Sequence, residues 1–363
     1  MRNNLICFSD SHDKTKQLFT DYINDYLTKV EHKEGLTYDD TISFSEKEKK
    51  MNKIMLDEVK KLSGFSVDNI TNEAAWATNP VLNWAGMAVI NSLVDMIIPD
   101  IIIRDTGIYS DVRVGEFGDS FKFDVEPNDL FFVSKAGRDQ RTVEFQRQYN
   151  STVTVNPENR EITVAVNFYK VLCGMESLAK LAIKAALSME SAMNVDIYKA
   201  FDTAMSALPT TPVDQELNVT GWDETSAVKL AEKVSAWNRS RAVFMGTPLA
   251  LRNILPKDAN YRYFLESDFV KVGYIRNFMG YDTLVMPQIA DWTNPYKTML
   301  DDNKIYVISP ASQKIVKLCL EGSTISRTIP HEAAADLYST NTMTKSWGVG
   351  IATNAIAGVI TLA

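Results

Sequence analysis

The chain has few of the residue types from which metal sites and disulfide frameworks are built. Among its 363 residues are three cysteines and three histidines, namely Cys7, Cys173, Cys319, His12, His32 and His331. They are widely scattered, and no pair has the short spacing of a zinc-ligand motif. We therefore expect no metal site, no cofactor and no disulfide framework. Free thiols fit a reducing compartment best.

Basic residues are also in the minority. Lys and Arg total 38 and Asp and Glu total 46, which gives a formal net charge of −8. Proteins that bind nucleic acid by neutralising phosphates are normally basic, so this class is disfavoured. Hydrophobic residues make up 45% of the chain and charged residues 23%. That composition, at this length, is typical of one large or two ordinary globular domains.

No apolar stretch is long and uninterrupted enough to predict a secretory signal or a membrane span. Residues 74–94 lack charge, but they include Asn83 and Asn91, whose amides would be costly in hydrocarbon. We interpret this stretch as a buried or interface-packed helix that Pro99 ends. The C-terminal segment from Ser346, SWGVGIATNAIAGVITLA, is rich in Gly, Thr and Asn and predicts buried strand. The sequence thus predicts a soluble protein.

The motifs of nucleotide binding and of common hydrolases are missing. No phosphate loop is present, and Gly348-Val349-Gly350 lacks the third glycine of a dinucleotide fingerprint and lies in strand-like sequence. An S-x-x-K match, Ser177 to Lys180, begins a long predicted helix, where a serine–lysine hydrolase would also place it. The K-T-G strand and the S-D-N loop of such enzymes are missing, so we favour a chance match and predict no catalytic residues.

Two helical patterns stand out. Residues 45–62 place Met51, Met55 (or Ile54), Val59 and Leu62 at helical spacing, opposite a face of lysines and acids. This predicts a solvated amphipathic helix or, alternatively, an arm that docks its apolar stripe on a neighbouring subunit. The second pattern, from about Glu176 to Leu208, contains no Gly or Pro and would form a helix roughly 45–50 Å long. Such a helix would act as a spine connecting parts of the molecule.

Between residues 107 and 170 the sequence alternates in the manner of β-strands. Short runs such as Ser120–Val125 and Ser151–Val155 are separated by Gly, Pro and Asn. Alternation predicts one covered face, yet Lys122 and Asp124 occupy the opposite positions and few apolar residues remain for a separate core. Because a ribbon of few strands is marginal alone in water, we expect another copy of the chain to cover it.

An α/β-like region follows the Pro/Thr-rich joint at residues 209–214. Thr220 and Asp223 offer capping groups for a helix that runs to about Asn238, and Pro248 fits the first turn of a short helix. Strand-like runs follow at residues 241–246, 281–287, 304–309 and 314–321.

This order of parts resembles the major capsid proteins of tailed bacteriophages, which share the Hong Kong 97-like fold. Residues 97–134 resemble the entry and ascending strand of that family's extended loop, and residues 141–177 resemble its descending strand and the approach to the spine helix. The pattern GYIRNFMGYDTLVMP, residues 273–287, is similar to the central domain. The resemblance covers about residues 74–363 and lies in the order and texture of the elements.

The resemblance implies an α+β fold with five parts. They are an N-terminal helical region and N-arm over residues 1–106, an extended β-hairpin loop over 107–172, a peripheral domain with the spine helix over 173–219, an inserted axial domain over 220–335, and a closing strand of the peripheral domain over 336–363.

The resemblance also implies a structural function. The chain would not be an enzyme; it would self-assemble as pentamers and hexamers into an icosahedral shell. The shell would enclose double-stranded DNA without sequence-specific binding, with scaffold, portal and decoration proteins as partners and no membrane. Assembly in the host cytoplasm would place the protein in the virion. Two alternatives stay open: an encapsulin-like nanocompartment shell, and a serine–lysine hydrolase that uses Ser177 and Lys180.

Some members of that family crosslink a loop lysine to an asparagine of a neighbouring subunit. Lys135 lies near the expected loop tip and Asn354 in the expected closing strand. No motif matches them as such a set, and a solvated lysine is the favoured interpretation.

Overall fold

The architecture combines helices with two larger sheets and a two-stranded ribbon. A computed structural model describes residues 21–26, 43–64, 79–126, 130–133, 145–148, 150–167, 170, 175–208, 217–256, 272–290, 296–310, 313–330, 338–352 and 354–362. Residues 21–26 are helical. The other helices are α1 (Phe44–Ser63), α2 (Pro80–Thr106), α3 (Leu178–Ser206), α4 (Glu224–Asn238) and α5 (Pro248–Leu251). The strands are β1 (Ser110–Gly115), β2 (Phe121–Val125), β3 (Ser151–Val155), β4 (Glu158–Asn167), β5 (Asn218–Thr220), β6 (Val243–Gly246), β7 (Asn277–Phe278), β8 (Tyr281–Val285), β9 (Lys304–Ile308), β10 (Val316–Pro330), β11 (Tyr338–Ile351) and β12 (Gly358–Thr361).

Helix α1 forms where the charged amphipathic pattern predicted it. The Ser43 side chain accepts a hydrogen bond from the first turn, and Gly64 closes the last turn with a φ of 71°. The stripe of Met51, Met55 and Val59 is buried in the same core as α2 and α3. The alternative of an arm docking on a neighbouring subunit is therefore wrong for this helix, because its apolar stripe is covered within its own chain.

Helix α2 confirms the interpretation of the uncharged stretch as a buried helix, but its predicted end is wrong. The helix continues through Pro99 to Thr106. Ile98 and Ile102, on either side of the proline, are fully buried. A proline removes one backbone hydrogen bond, and the burial of its neighbours offsets that loss here.

Among the helices of the described residues, none is both long and apolar enough to cross a membrane.

Helix α3 is the expected spine. It has 29 residues and begins at Ser177, whose hydroxyl accepts the Lys180 backbone N–H. Its buried face runs its whole length and includes Ala182, Met193 and Phe201. The first half packs against α1 and α2, and the second half packs against the six-stranded sheet.

The first large sheet has four strands in the order β1-β10-β11-β4. Strand β1 pairs in parallel with β10, and the other pairs are antiparallel. This corrects the expected extent of the extended loop over 107–172, because β1 and β4 are strands of this sheet. Between β1 and β4, the described residues of the segment 116–157 lie outside this sheet. The described part of that segment includes the antiparallel ribbon β2–β3.

The second large sheet has six strands in the order β5-β12-β9-β6-β8-β7. One face of β9, with Ile305 and Val307, packs under α4 and α5, while Tyr306 and Ile308 face the core that contains the spine. Its membership corrects two expected boundaries. Strand β10 falls within the expected axial range of 220–335 but lies in the four-stranded sheet, and β12 falls within the expected closing segment of 336–363 but lies in this sheet. The sheet that a strand joins depends on hydrogen-bond partners that are distant in sequence. The alternating pattern within one strand does not reveal those partners.

Candidate assembly surface

The base of the ribbon has an apolar face that packs on the four-stranded sheet. Phe121, Phe123 and Val125 alternate along β2, and Phe121 lies opposite Val155 in β3. Phe121, Phe123 and Val155 form a small buried cluster with Cys319 of β10. The intervening residues of β2 are exposed. The alternation in the sequence therefore predicted the correct face of this strand.

Two glycines of β11 provide the surface on which β3 lies. A Cβ at Gly348 would overlap the Asn156 carbonyl oxygen, and a Cβ at Gly350 would lie 2.7 Å from Cγ2 of Val155. Gly348 and Gly350 are two positions apart and so share one face of the strand. We call this pair the glycine seat. The Gly-Val-Gly run, rejected as a nucleotide motif, thus permits a close approach of two strands, and glycines spaced by two in a strand were the available signal.

Polar and cationic side chains complete the attachment of the ribbon base. The Arg113 guanidinium lies 4.5 Å from the centroid of the Phe123 ring and donates to the Lys122 carbonyl at 2.6 Å. Gln313 donates to the Asp124 carbonyl at 2.9 Å. The expectation that another copy must cover this region is therefore wrong for the apolar face of β2 and for Val155 of β3, because their own chain supplies the cover. Sequence analysis missed it because the residues that provide the cover belong to other strands and loops.

The Cys319 thiol is part of this packing. Its Sγ lies 3.5 Å from the Gly348 carbonyl oxygen, and the side chain is fully buried. Burial raises the pKa of the Cys319 thiol above its ordinary value. Because a neutral buried thiol is a poor nucleophile, its role here is structural.

The distal part of the ribbon differs from its base. Five apolar residues there are exposed: Leu130, Phe131, Phe132, Val133 and Phe145. We call them the distal patch. Val133 is 90% exposed and Phe145 is fully exposed. The Gln146 side-chain amide donates to the Phe132 carbonyl at 2.7 Å and accepts the Phe132 N–H at 2.5 Å, which holds the two segments side by side.

A run of four exposed apolar residues is unusual on a monomeric soluble protein and marks an interaction surface. Sequence analysis did not single out this patch. The available signal was the uninterrupted run Leu130–Val133 within an otherwise alternating, charged region.

The structure does not pair the two residues of the hydrolase hypothesis. The Ser177 hydroxyl donates to Asn52 Oδ1 at 3.1 Å and caps α3. The Lys180 ammonium forms an ion pair with Glu48 at 3.0 Å. The S-x-x-K match is therefore a capping arrangement that ties the spine to α1.

Several residues considered from the sequence lie outside the described part of the chain, namely Cys7, Cys173, His12, His32, His331 and Lys135. The Asn354 side-chain amide is described and donates to the Glu126 carbonyl at 2.8 Å. The favoured interpretation, a solvated Lys135 without a crosslink to Asn354, stays a prediction, and covalent oligomers from particles heated in detergent would contradict it. Within the described ranges, no cluster of three His, Cys, Asp or Glu side chains could hold a metal ion.

A hydrogen-bond network joins the spine to the six-stranded sheet. The Asp202 carboxylate accepts from the Tyr306 hydroxyl at 2.8 Å and from the Lys304 ammonium at 2.7 Å. Burial, followed by hydrogen bonds to Tyr198 and Asp202, raises the pKa of Tyr306. Burial lowers the pKa of Lys304, but the hydrogen bond and charge of Asp202 outweigh that effect, so the net pKa is raised. The network therefore fixes the sheet against the spine.

Comparison with known proteins places the chain among capsid proteins. A family model described as SPbeta prophage-derived putative capsid protein YonB matches residues 14–361. No curated protein matches the sequence. Among solved structures, the capsid of the native GTA particle is 17% identical, with a TM-score of 0.48, over 71% of this chain and 90% of that one. The mature capsid of bacteriophage PhiM1 is 11% identical, with a TM-score of 0.43, over 70% and 86%. The virus-like particle from Pyrococcus furiosus is 11% identical, with a TM-score of 0.40, over 75% and 97%.

Proposed function

Because the chain belongs to the family of the SPbeta prophage-derived putative capsid protein YonB, we propose that it is the major capsid protein of a phage head and that its copies close into an icosahedral shell. The α+β fold expected from the sequence is confirmed, and we propose that its parts have the Hong Kong 97-like arrangement. Its parts are the spine α3, the four-stranded sheet with its protruding ribbon, and the six-stranded sheet.

The distal patch carries the proposal. Its five residues expose apolar surface in the segment between β2 and β3, and the base of that segment is fixed to its own subunit. Removing such surface from water favours association, because the hydrophobic effect is the dominant favourable term in most protein–protein contacts. A second copy of the chain supplies the cover, and repetition of one such head-to-tail contact generates a closed ring when the rotation between copies is suitable.

The proposed division of the subunit follows the two sheets. The peripheral part consists of α1, α2, the spine and the four-stranded sheet, and the ribbon of residues 116–157 reaches the neighbouring copy. The axial part consists of the six-stranded sheet with α4 and α5, and it gathers around the five- and six-fold axes. This division replaces the ranges expected from the sequence, because β10 belongs to the four-stranded sheet and β12 belongs to the six-stranded sheet.

The role is structural rather than catalytic, and the shell is part of the virion and assembles in the host cytoplasm. Its partners are scaffold, portal and decoration proteins. A net charge of −8 fits a shell that encloses double-stranded DNA without binding its phosphates through a basic surface. The family favours this function over the nanocompartment alternative, in which a cargo protein would copurify with the shell.

Electron microscopy and light scattering of the expressed chain, alone and with its scaffold, test the proposal. We expect shells from the wild type. The triple variant Phe131→Ser, Phe132→Ser and Phe145→Ser should stay as small species, with an unchanged melting temperature because these side chains are exposed. Lys122→Ser, an exposed change on the same ribbon, is the matched control and should assemble. A wild type that stays monomeric under assembly conditions would overturn the proposal, and normal shells from the triple variant would remove the distal patch as its basis.

A further inference from the structure

The ladder between β10 and β11 is interrupted at one point. Glu321 pairs with Ser346, and the next pair is Ile325 with Thr344. The three residues from Gly322 to Thr324 therefore face Lys345 alone. Gly322 adopts a φ of 57°, which favours glycine. Extra residues on one strand bend it and increase its local twist, so the four-stranded sheet bends here.

An ion pair between Asp95 of α2 and Lys345 of β11 binds this bulge of β10. The Asp95 carboxylate of α2 accepts the Thr324 N–H at 2.8 Å, the Thr324 hydroxyl at 2.6 Å and the Lys345 ammonium at 2.8 Å. The Lys345 ammonium also donates to the Gly322 carbonyl at 2.7 Å. The Lys345 side chain is only 6% exposed. We call this arrangement the bulge joint.

The turn that leads into the ribbon rests on the bulge joint. The Phe117 ring covers Gly322 so closely that a Cβ there would overlap it. The Gly118 N–H donates to Glu321 Oε1 at 2.8 Å. Within the turn, Asp119 Oδ2 accepts the Glu116 N–H at 2.7 Å. The place where the ribbon leaves the sheet is thus fixed to the place where the sheet bends.

We propose that Asp95 and Lys345 are positioning residues for assembly. By fixing the bend of the sheet, they fix the direction of the ribbon and hence the angle between neighbouring copies. This inference rests on the proposed shell function. At about 3.3 Å per residue, the 14 steps from residue 119 to residue 133 span at most about 45 Å, so a rotation of about 10° at the joint moves the distal patch by about 8 Å.

The use of an ion pair fits a directional role better than a purely stabilising one. Burying two charges costs desolvation energy that apolar residues of the same size would not incur. The pair instead offers directed hydrogen bonds to three groups of the bulge, and these define one geometry. Closure of a shell depends on the angle at which each copy meets the next, so this geometry governs particle size.

The experiment compares Asp95→Asn and Lys345→Met with Lys345→Arg, which keeps the charge. The matched control is Glu48→Gln, which breaks the ion pair with Lys180 between α1 and the spine and shares no residue with the bulge joint. Particle diameters are measured by electron microscopy, folding by thermal melting, and backbone opening at residues 117–118 by hydrogen exchange. Thr324→Val removes only the hydroxyl bond and serves as the milder variant if Asp95→Asn does not fold.

We expect Asp95→Asn and Lys345→Met to exchange about tenfold faster at residues 117–118, which corresponds to about 1.4 kcal/mol, and to form shells of shifted or broadened diameter. Lys345→Arg and Glu48→Gln should retain the wild-type diameter. Wild-type diameters from Asp95→Asn would overturn the positioning role alone, as would equal broadening in Glu48→Gln. A wild type that forms no shells would overturn the proposed function and the positioning role with it.

Discussion

The Asn156 carbonyl oxygen lies over Gly348, at the position where any other residue would carry its Cβ. The two residues are distant in sequence. Of the two glycines of β11, Gly348 makes the closer contact with the ribbon base. At this contact the ribbon meets the backbone of β11 rather than a side chain, so its position there is sensitive to one added methyl group.

Gly348→Ala should lift β3 from the sheet. Overpacking of this kind costs about 1–3 kcal/mol, and the loss falls on the cluster that includes Phe123 and Cys319. Hydrogen exchange in β2 and β3 should rise, and shells should not form. Val349→Ala, on the opposite face of β11, is the control: it should lower the melting temperature without faster exchange in β2. Unchanged hydrogen exchange of β2 and β3 in Gly348→Ala would show that the ribbon base does not need the glycine seat.

The Cys319 thiol should resist alkylation in the native chain. Burial excludes the reagent, and the raised pKa keeps the thiol neutral. Iodoacetamide at pH 8 followed by peptide mass mapping separates Cys319 from Cys7 and Cys173. We expect Cys319 to be modified only after unfolding in urea. Modification at the rate of a free thiol in the folded chain would contradict this prediction.

Tyr306 should make the chain lose stability at alkaline pH. Its pKa is raised in the folded state, so its contribution is complete below the unfolded value of about 10 and is lost as the pH rises toward the folded value. The free energy of unfolding, measured in urea, should fall between pH 10 and 12. Tyr306→Phe should cost about 1 kcal/mol at pH 7 and show a shallower fall. Tyr274→Phe, outside the Asp202 network, should keep the wild-type slope, and an equal slope in Tyr306→Phe would rule out the assignment.

Ser177→Ala should lower the stability of the fold and should remove no enzymatic activity. Loss of the cap of α3 costs about 1 kcal/mol, and Ser177→Asp, which can also cap a helix, should restore most of it. Thermal melting measures both effects. A serine-reactive probe should not label the wild type, because the Lys180 ammonium is paired with Glu48. Labelling that Ser177→Ala abolishes would revive the hydrolase hypothesis.

Local patterns predicted the elements well. The stripe from Glu176 to Leu208 predicted the spine observed over Leu178–Ser206, and Asp223 caps α4 as expected. Period and capping depend on residues within one or two turns, so they can be recognised in the sequence. Pro99 is the exception, because the burial of Ile98 and Ile102 against the rest of the core keeps the helix continuous.

The sequence by itself determined the helices, the alternating strands and the order of parts that resembles a capsid subunit, because each depends on near neighbours. The tertiary structure decided which sheet β10 and β12 join, and that Gly348 supports the ribbon. It also brought Asp95 to Lys345, 250 residues away. Those relationships depend on hydrogen bonds and packing between distant segments. Such contacts produce no periodic spacing of residue types that could be recognised in the sequence. The assembly surface divides the same way: its apolar residues are in the sequence, but their exposure is a property of the fold.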